Sequence, residues 1–473
     1  MSEITVETTN ERKEQGTCKS PHRKCLQNVK KAMSHVTLEP MLFLKMVAEG
    51  NVIVIADTLQ LDRVCRVNLN FTEKDCLAMD DGNHSEIQKA VQIYQNNLHY
   101  YQGLMASILP VLVIFLIGSI SDRYGRKLPM VIVLSGFVVY AMVYLLVILD
   151  PSWPVEILYI ASFAINITGN WVLFNMAVYS YLADITTTER RTKRMGWMDA
   201  VWSMGKPLGT LLGVWLYQNY GYITVFAVSA ILWSMCLIFT AAVVKESIAK
   251  PSGTIQQEKT LPFIIDLYQT VFKRYPHRVR VYLFLLTAIK LGVYLAHGHQ
   301  VYLWARVVLE WDVGQFSTWS GASDFLHLIA MVVWVGVASS YHLSDYTVAI
   351  FGLVSIALWN IVLASTIAPS VWWLVIVAAF LGSLKTSIEP ALRSLITSVP
   401  DKCDVGKILA FLGLMEAIWQ TVDKSVYTHL YNAFIHSFPQ INFVVEGAIA
   451  CILLMGLIRL KRDSEKWSES NAF

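Results

Sequence analysis

The sequence predicts an all-α membrane protein whose chain crosses the bilayer twelve times, six helices followed by a polar stretch and then six more. Three observations carry that reading. Apolar residues make up 55% of the 473 residues and charged residues only 15%, where a soluble domain averages about a quarter charged. Apolar runs recur that approach or reach the roughly twenty residues needed to cover a hydrocarbon core. Lys and Arg gather on alternate loops.

Apolar runs and their polar breaks place the spans at 40–61, 99–121, 128–149, 155–184, 196–217, 220–244, 280–306, 314–338, 344–367, 370–398, 404–428 and 440–460. The first contains Lys45, Glu49 and Asp57, groups tolerable at membrane depth only when they face a protein interior or a hydrated cavity. This divides the chain into a tail (1–38), an N-terminal half (39–244) with a large loop at 62–98, a linker (245–279), a C-terminal half (280–460) and a second tail (461–473). Pro251, Ser252, Gly253 and Pro276 break up the linker.

Charge asymmetry orients the bundle. Both tails, the linker and the loops after the second and fourth spans are rich in Lys and Arg, whereas the opposite loops hold four, Arg63, Arg66, Lys74 and Lys89. The positive-inside rule puts both tails in the cytoplasm. Loop 62–98 then faces outside or a lumen, and it carries two glycosylation sequons, at Asn70 and Asn83. A third match, at Asn166, lies inside the fourth span. Cys65 and Cys76 share that outer loop and are expected to pair there, where the compartment is oxidising. The first 36 residues are polar and show no cleavable signal pattern, so the first span is expected to direct insertion.

Several function classes drop out. A net charge of +3 without a basic stripe gives no reason to expect a nucleic-acid partner. The seven cysteines lack metal-ligand spacing, so no metal or other cofactor is expected. No nucleophile–base pair or phosphate-binding glycine loop suggests an enzyme.

The most specific motif joins the second and third spans: Gly118-Ser119-Ile120-Ser121-Asp122-Arg123-Tyr124-Gly125-Arg126-Lys127. Its glycines permit a tight turn, and Asp122 can accept from a neighbouring helix end or guanidinium and latch one conformation. It resembles the G-x-x-x-D-R-x-G-R-K signature of the major facilitator superfamily, which implies two six-helix halves and alternating access. Asp184 followed by Glu189, Arg190, Arg191, Lys193 and Arg194 resembles that superfamily's intracellular charged gate, and equally fits a loop that merely obeys the positive-inside rule. In the fifth span Gly205, Gly209 and Gly213 recur every four residues, a pattern for tight helix packing.

Residues 37–460 resemble the proton-coupled folate transporter and thymic stromal cotransporter family, solute carrier family 46. The resemblance rests on Thr37 to Leu44, Arg194 to Asp199, Glu389-Pro390-Ala391-Leu392-Arg393 and Leu430-Tyr431-Asn432. It implies proton-coupled import of an organic anion, with folates, cyclic dinucleotides and muropeptides as candidates. It places a proton-coupling acid at Asp199, a substrate-binding guanidinium at Arg393 and a coupling histidine near His297 or His299. A carboxyl in a low-dielectric cavity holds its proton more readily, a guanidinium stays charged at any working pH, and histidine titrates near the pH of acidic compartments. Against these stand plainer roles: an interfacial helix-start Asp, a hydrogen-bonded outer His, and an ion-pair ladder of Lys385, Glu389 and Arg393 on one helix face. The family's cysteine after the seventh span is replaced by Glu310-Trp311-Asp312, which supports local pairing of Cys65 with Cys76.

Lys206 and Lys290 lie in spans without a family counterpart. Lys206, about two turns beyond Asp199, is expected to face an anionic substrate together with Arg393, with Lys385 and Glu389 nearby. The expected partners are an anionic solute, protons and the lipid bilayer. The protein is expected to be a monomer in the plasma or an endolysosomal membrane. A non-transporting receptor or scaffold on the same fold is the alternative reading.

Overall fold

The structure, a computed structural model, describes residues 38–77, 85–185, 188–246, 277–297, 300–399 and 405–470. Within those helices the side chains at 77, 85, 114–124, 183–184, 188–197, 199–200, 277–278, 405–407, 409–410, 414, 417, 420 and 466–470 fall outside the description. Outside it, therefore, lie the side chains of Gly118, Asp122, Arg123, Asp184, Arg190, Arg191 and Asp199, together with Asn83 and His299.

The described chain is helical throughout. The first span is Glu39–Arg63, continued by a π-helical turn, Val64–Asn68. The second, Ser85–Tyr124, starts four turns earlier than its apolar run because Gln88, Gln92, Gln95 and Asn96 are buried against neighbouring helices. The third is Lys127–Leu149, and the fourth comes in two pieces, Leu158–Ile167 and Asn170–Ile185. The fifth and sixth share Thr188–Ala242, interrupted at Gly221. Gly221 has a φ of 76°, open to glycine at little cost. Asn51 of the first span meets both limbs: its carbonyl oxygen lies against Gly213, and its Nδ2 donates to Val225 O at 2.9 Å and Ser229 Oγ at 2.7 Å. The chain therefore doubles back at Gly221.

In the C-terminal half the seventh span is His277–Tyr294 and Val301–Val308, the eighth Val313–Ser340 and the ninth Asp345–Ser365. The tenth is Leu374–Leu381, a 3-10 turn Lys385–Ser387 and Ile388–Ser398; Val405–Phe434 and Ile441–Ser470 complete the twelve. Asp312 and Gln315 form a reciprocal capping box at the start of the eighth span. Among the described residues seven segments are long and apolar enough to cross a bilayer, and one of these, Val201–Ala242, is 42 residues long, enough for two crossings. Exposed residues such as Leu146, Phe163, Ile231, Ile238, Val332 and Ile452 form a surface suited to lipid.

The first and fifth spans touch backbone to backbone. A Cβ on Gly209 would sit 2.2 Å from Val47 O, and one on Gly213 2.2 Å from Asn51 O. With no hydrophobic drive between helices in lipid, such close approach supplies the packing energy.

Two apolar cores organise the interior. The larger fills the N-terminal half and continues through Tyr302, Trp304, Phe316, Trp359, Tyr431 and Phe443 of the C-terminal half. The smaller, around Leu286, Leu353, Leu392 and Leu457, holds the rest of that half together. The shared residues of the seventh, eighth and eleventh spans stand toward the outer ends of their helices, so the halves are sealed to each other on the outer side.

Candidate functional site: a charged centre beneath a closed outer gate

The outer seal is polar as well as apolar. Thr58 and Tyr302 share a hydrogen bond of 2.8 Å. Gln88 Nε2 donates to Arg306 O and Gln92 Nε2 to Leu303 O, each at 3.1 Å. Tyr431 OH donates to Gln92 Oε1 at 3.0 Å, Asn96 Nδ2 to Asn432 Oδ1 at 2.8 Å and Asn432 Nδ2 to Asn97 Oδ1 at 2.9 Å. Gln88, Gln92 and Asn96 recur every four residues on one face of the second span, zipped onto the seventh and eleventh. Among the described residues every hydrogen bond between the halves belongs to this outer layer. The halves are therefore closed at this end, the outer one in the orientation that loop charge predicts. Tyr431 and Asn432 lie within the eleventh helix, which runs six residues past its predicted end.

Beneath the gate the spans carry charge. Lys45 is fully buried, ion-paired with Glu49, with its ammonium 4.7–5.4 Å from the ring centres of Phe137, Trp202 and Phe174. Three rings and one carboxylate offset the desolvation of this cation. Lys290, also fully buried, is ion-paired with Glu389 and lies 3.2 Å from Glu416 Oε1, binding the seventh, tenth and eleventh spans together.

The tenth helix is not continuous, which changes the expected geometry. It stops at Leu381, and Ser355 Oγ bridges the gap, donating to Leu381 O at 2.6 Å and accepting from Leu384 N at 3.2 Å. The 3-10 turn that follows puts Lys385 and Glu389 out of the register of one α-helical face. Lys385 turns to the ninth span, its ammonium 3.7 Å from the centre of the Trp359 ring, while Glu389 turns to Lys290. Among the described residues no ion pair joins Lys385 to Glu389 or Glu389 to Arg393, so the ladder expected of a continuous helix does not form. Arg393 is exposed, within electrostatic range of Tyr294.

Lys206 of the N-terminal half is exposed between the halves, within electrostatic range of Lys385. Asp324 and Glu446 also act on Lys385. Lys206 thus lies within electrostatic range of Lys385, one of the residues the sequence reading places near it. His297 is exposed at the break in the seventh span, within electrostatic range of His327. That break is held by Asn360 Nδ2 donating to Ala296 O at 3.0 Å and by Tyr427 OH donating to Leu295 O. Helices interrupted near mid-membrane are a recurring device for building transport sites.

On the cytoplasmic side Gly125 has a φ of 108°, and the Glu246 carboxylate fills the space a side chain there would need. Glu246 Oε1 accepts from Arg126 N at 2.7 Å, and Lys127 Nζ donates to Ala241 O at 2.6 Å. On the outer side Cys65 and Cys76 form a disulfide with a Cα–Cα distance of 5.9 Å, and Asn70 is exposed. Asn166 is buried and donates to Ser162 O at 2.7 Å. A cavity of about 900 Å³ opens between Gln218 and a wall of Trp311, Trp319, Trp372 and Phe380, and Trp319 stacks at 5.8 Å on the Trp359 ring that lies under Lys385.

Sequence reasoning passed over the Asp57–His99 contact, the Glu246 cap and the glutamine–asparagine zipper. Asp57 had a signal, as a carboxylate inside an apolar run. The zipper had a weaker one, the four-residue spacing of its amides in a stretch too polar to resemble a membrane helix.

Two six-helix halves, sealed outside over a charged centre, define a multi-pass membrane transporter of small solutes. The Major Facilitator Superfamily profile matches residues 95–422, and the chain belongs to that superfamily. It is 21% identical to the probable peptidoglycan muropeptide transporter SLC46 of Drosophila melanogaster, over 90% of this chain and 86% of that one. It is 20% identical to the lysosomal proton-coupled steroid conjugate and bile acid symporter SLC46A3 of Gallus gallus, over 89% and 92%. Identity to the proton-coupled folate transporter of Bos taurus is 22%, over 79% of each chain. These relatives accord with the resemblance to solute carrier family 46. Among solved structures, a D-xylose–proton symporter superposes with a TM-score of 0.64 at 13% identity, covering 89% of this chain and 96% of that one.

Proposed function

We propose that this protein imports an organic anion together with protons by alternating access. The observation that carries the reading is the approach of Lys206 and Lys385 from opposite halves. Neither has an ion-paired carboxylate among the described residues. Two ammonium groups within electrostatic range of each other repel, and an anion held between them would remove the repulsion and link the halves. Buried Trp359 beneath Lys385 holds that ammonium in place.

The relatives' names point the same way: folates, bile acids, steroid conjugates and muropeptides all include carboxylate- or sulfate-bearing compounds. Asp199, with His297 or His299, is the proposed proton route, and Arg393 the proposed cation at the cytoplasmic exit. Rocking of the halves about the midplane would carry the anion across.

The test is uptake of labelled folate, a cyclic dinucleotide, a muropeptide and a bile acid by expressing cells at about pH 5.5 and about pH 7.5. Expected is acid-stimulated uptake of at least one, reduced about tenfold or more in Lys385→Ala and Lys206→Ala, as for loss of a charge-assisted contact. Acid stimulation is expected to vanish in Asp199→Asn. Undiminished uptake of every transported anion by both lysine variants overturns the anion site, and uptake indifferent to pH overturns the coupling.

A further inference from the structure

One chain of contacts lies directly under the outer gate and belongs to none of the roles above. His99 Nε2 stands 2.7 Å from Gln60 Oε1 and 3.3 Å from Asp57 Oδ1. Gln60 Nε2 donates to Tyr144 OH at 2.9 Å, and Gln95 Nε2 donates to Asp57 O at 2.8 Å. An ionised carboxylate can only accept, so the nitrogen facing Asp57 carries the proton, and Gln60 presents its oxygen to the same N–H. The network fixes the tautomer. Nδ1 is left as the nitrogen that can take a second proton, on a side chain 30% exposed.

Asp57 also has a suitor from the other half. Lys424 of the eleventh span lies within electrostatic range of Asp57 and of Asp423. Its stem crosses onto the second span one turn below His99, where a Cβ on Gly103 would come within 2.8 Å of the Lys424 Cδ. The other groups facing this cluster are Tyr140 and Tyr144 from the third span, within electrostatic range of Asp57, and His429 from the eleventh, whose ring packs on Tyr100. The fourth span presents Tyr159 against Tyr101, and farther out the seventh presents Tyr302 and Arg306.

We infer that His99 and Lys424 are competing cations for Asp57, and that this competition is a proton-operated switch on the outer gate. With His99 neutral, the Asp57 charge adds to that of neighbouring Asp423 in holding Lys424 and so draws the eleventh span toward the first and second, closing the outside. A proton on Nδ1 makes an imidazolium beside Asp57. That cation satisfies the carboxylate from within its own half and repels Lys424, and the halves part on the outer side. Closing the gate then favours release of the proton, the linkage a proton-driven importer needs. The inference extends the coupling proposed above to a further site.

The switch can be read without a solute. Nitroxide labels at Ala90→Cys and Ala433→Cys, exposed on the second and eleventh spans, would be introduced in protein whose cysteines other than Cys65 and Cys76 are replaced. Their distance distribution in nanodiscs would be measured at about pH 7.5 and about pH 5.5. Acid is expected to raise the long-to-short population ratio about tenfold, within the tenfold per pH unit that one proton allows. His99→Gln, which keeps an N–H toward Gln60, is expected to stay closed with less than about a twofold change. Asp57→Asn is expected to be equally pH-indifferent, and Lys424→Met open at both pH values. A His99→Gln protein with the full wild-type response, or acid closing the wild-type gate, overturns the switch. Lost gate response with intact acid-stimulated uptake overturns this inference alone; intact gate response without acid-stimulated uptake overturns the coupling reading alone.

Discussion

The carboxylate of Glu246, where the sixth helix gives way to the linker, accepts from the backbone N–H of Arg126 at 2.7 Å, at the start of the third helix. A negative group there satisfies an otherwise orphaned donor and meets the positive end of the helix dipole. Because the bond joins the signature loop to the end of the N-terminal half, it ties the loop's conformation to the linker between halves.

Glu246→Ala should therefore lower stability by about 1 kcal/mol, the worth of a helix cap. Gly125→Ala should cost more, since its Cβ would stand 2.0 Å from the Glu246 carboxyl carbon at a φ of 108°. Thermal melts of both variants in detergent check the order, and a Gly125→Ala protein as stable as wild type would refute the role given to the cap.

The contact between the first and fifth spans predicts a steric penalty. Gly213→Ala and Gly209→Ala should each destabilise by about 1–3 kcal/mol, the usual cost of overpacking, and reduce surface expression. Gly336, with open space around it, should accept alanine with little effect. Surface biotinylation of the three variants gives the comparison.

Removing the gate amides should favour the outward-facing state. Gln92→Ala breaks bonds to both Leu303 and Tyr431, each worth about 0.5–1.5 kcal/mol. A shift of about fivefold to a hundredfold toward the open form is expected, read by the nitroxide distance across the gate.

Trp359→Leu should weaken anion binding, because it removes the ring under Lys385, and should also lower stability, because Trp359 is buried in the core against Trp319. The expected loss is about threefold to thirtyfold in affinity, the range of a partly desolvated cation–π contact. Lys385→Arg should keep more uptake than Lys385→Met. Competition against whichever anion the uptake assay identifies measures both.

Glu416→Gln should be tolerated better than Lys290→Met. The first leaves Lys290 paired with Glu389; the second leaves two carboxylates facing each other without their ammonium. Breaking a buried pair this way costs about 3–5 kcal/mol where burial is complete, and less here because Glu389 is one-third exposed. Size-exclusion profiles after mild heating distinguish the two.

The amino-acid sequence by itself determined the membrane class and the division into halves, because hydropathy and the Gly118–Lys127 signature are local properties of the chain. It also marked which charges within the spans need an explanation, since Lys45, Asp57, Lys206 and Lys290 interrupt apolar runs. Their partners were decided only by the tertiary structure. A charge in a low-dielectric interior is defined by what stands within a few ångströms of it, and those neighbours come from other helices: Trp359 for Lys385, Glu416 for Lys290, His99 for Asp57. Periodicity likewise could not show that the tenth helix breaks after Leu381, because Ser355 of another span satisfies the broken backbone, and that break is what sends Lys385 and Glu389 to different partners.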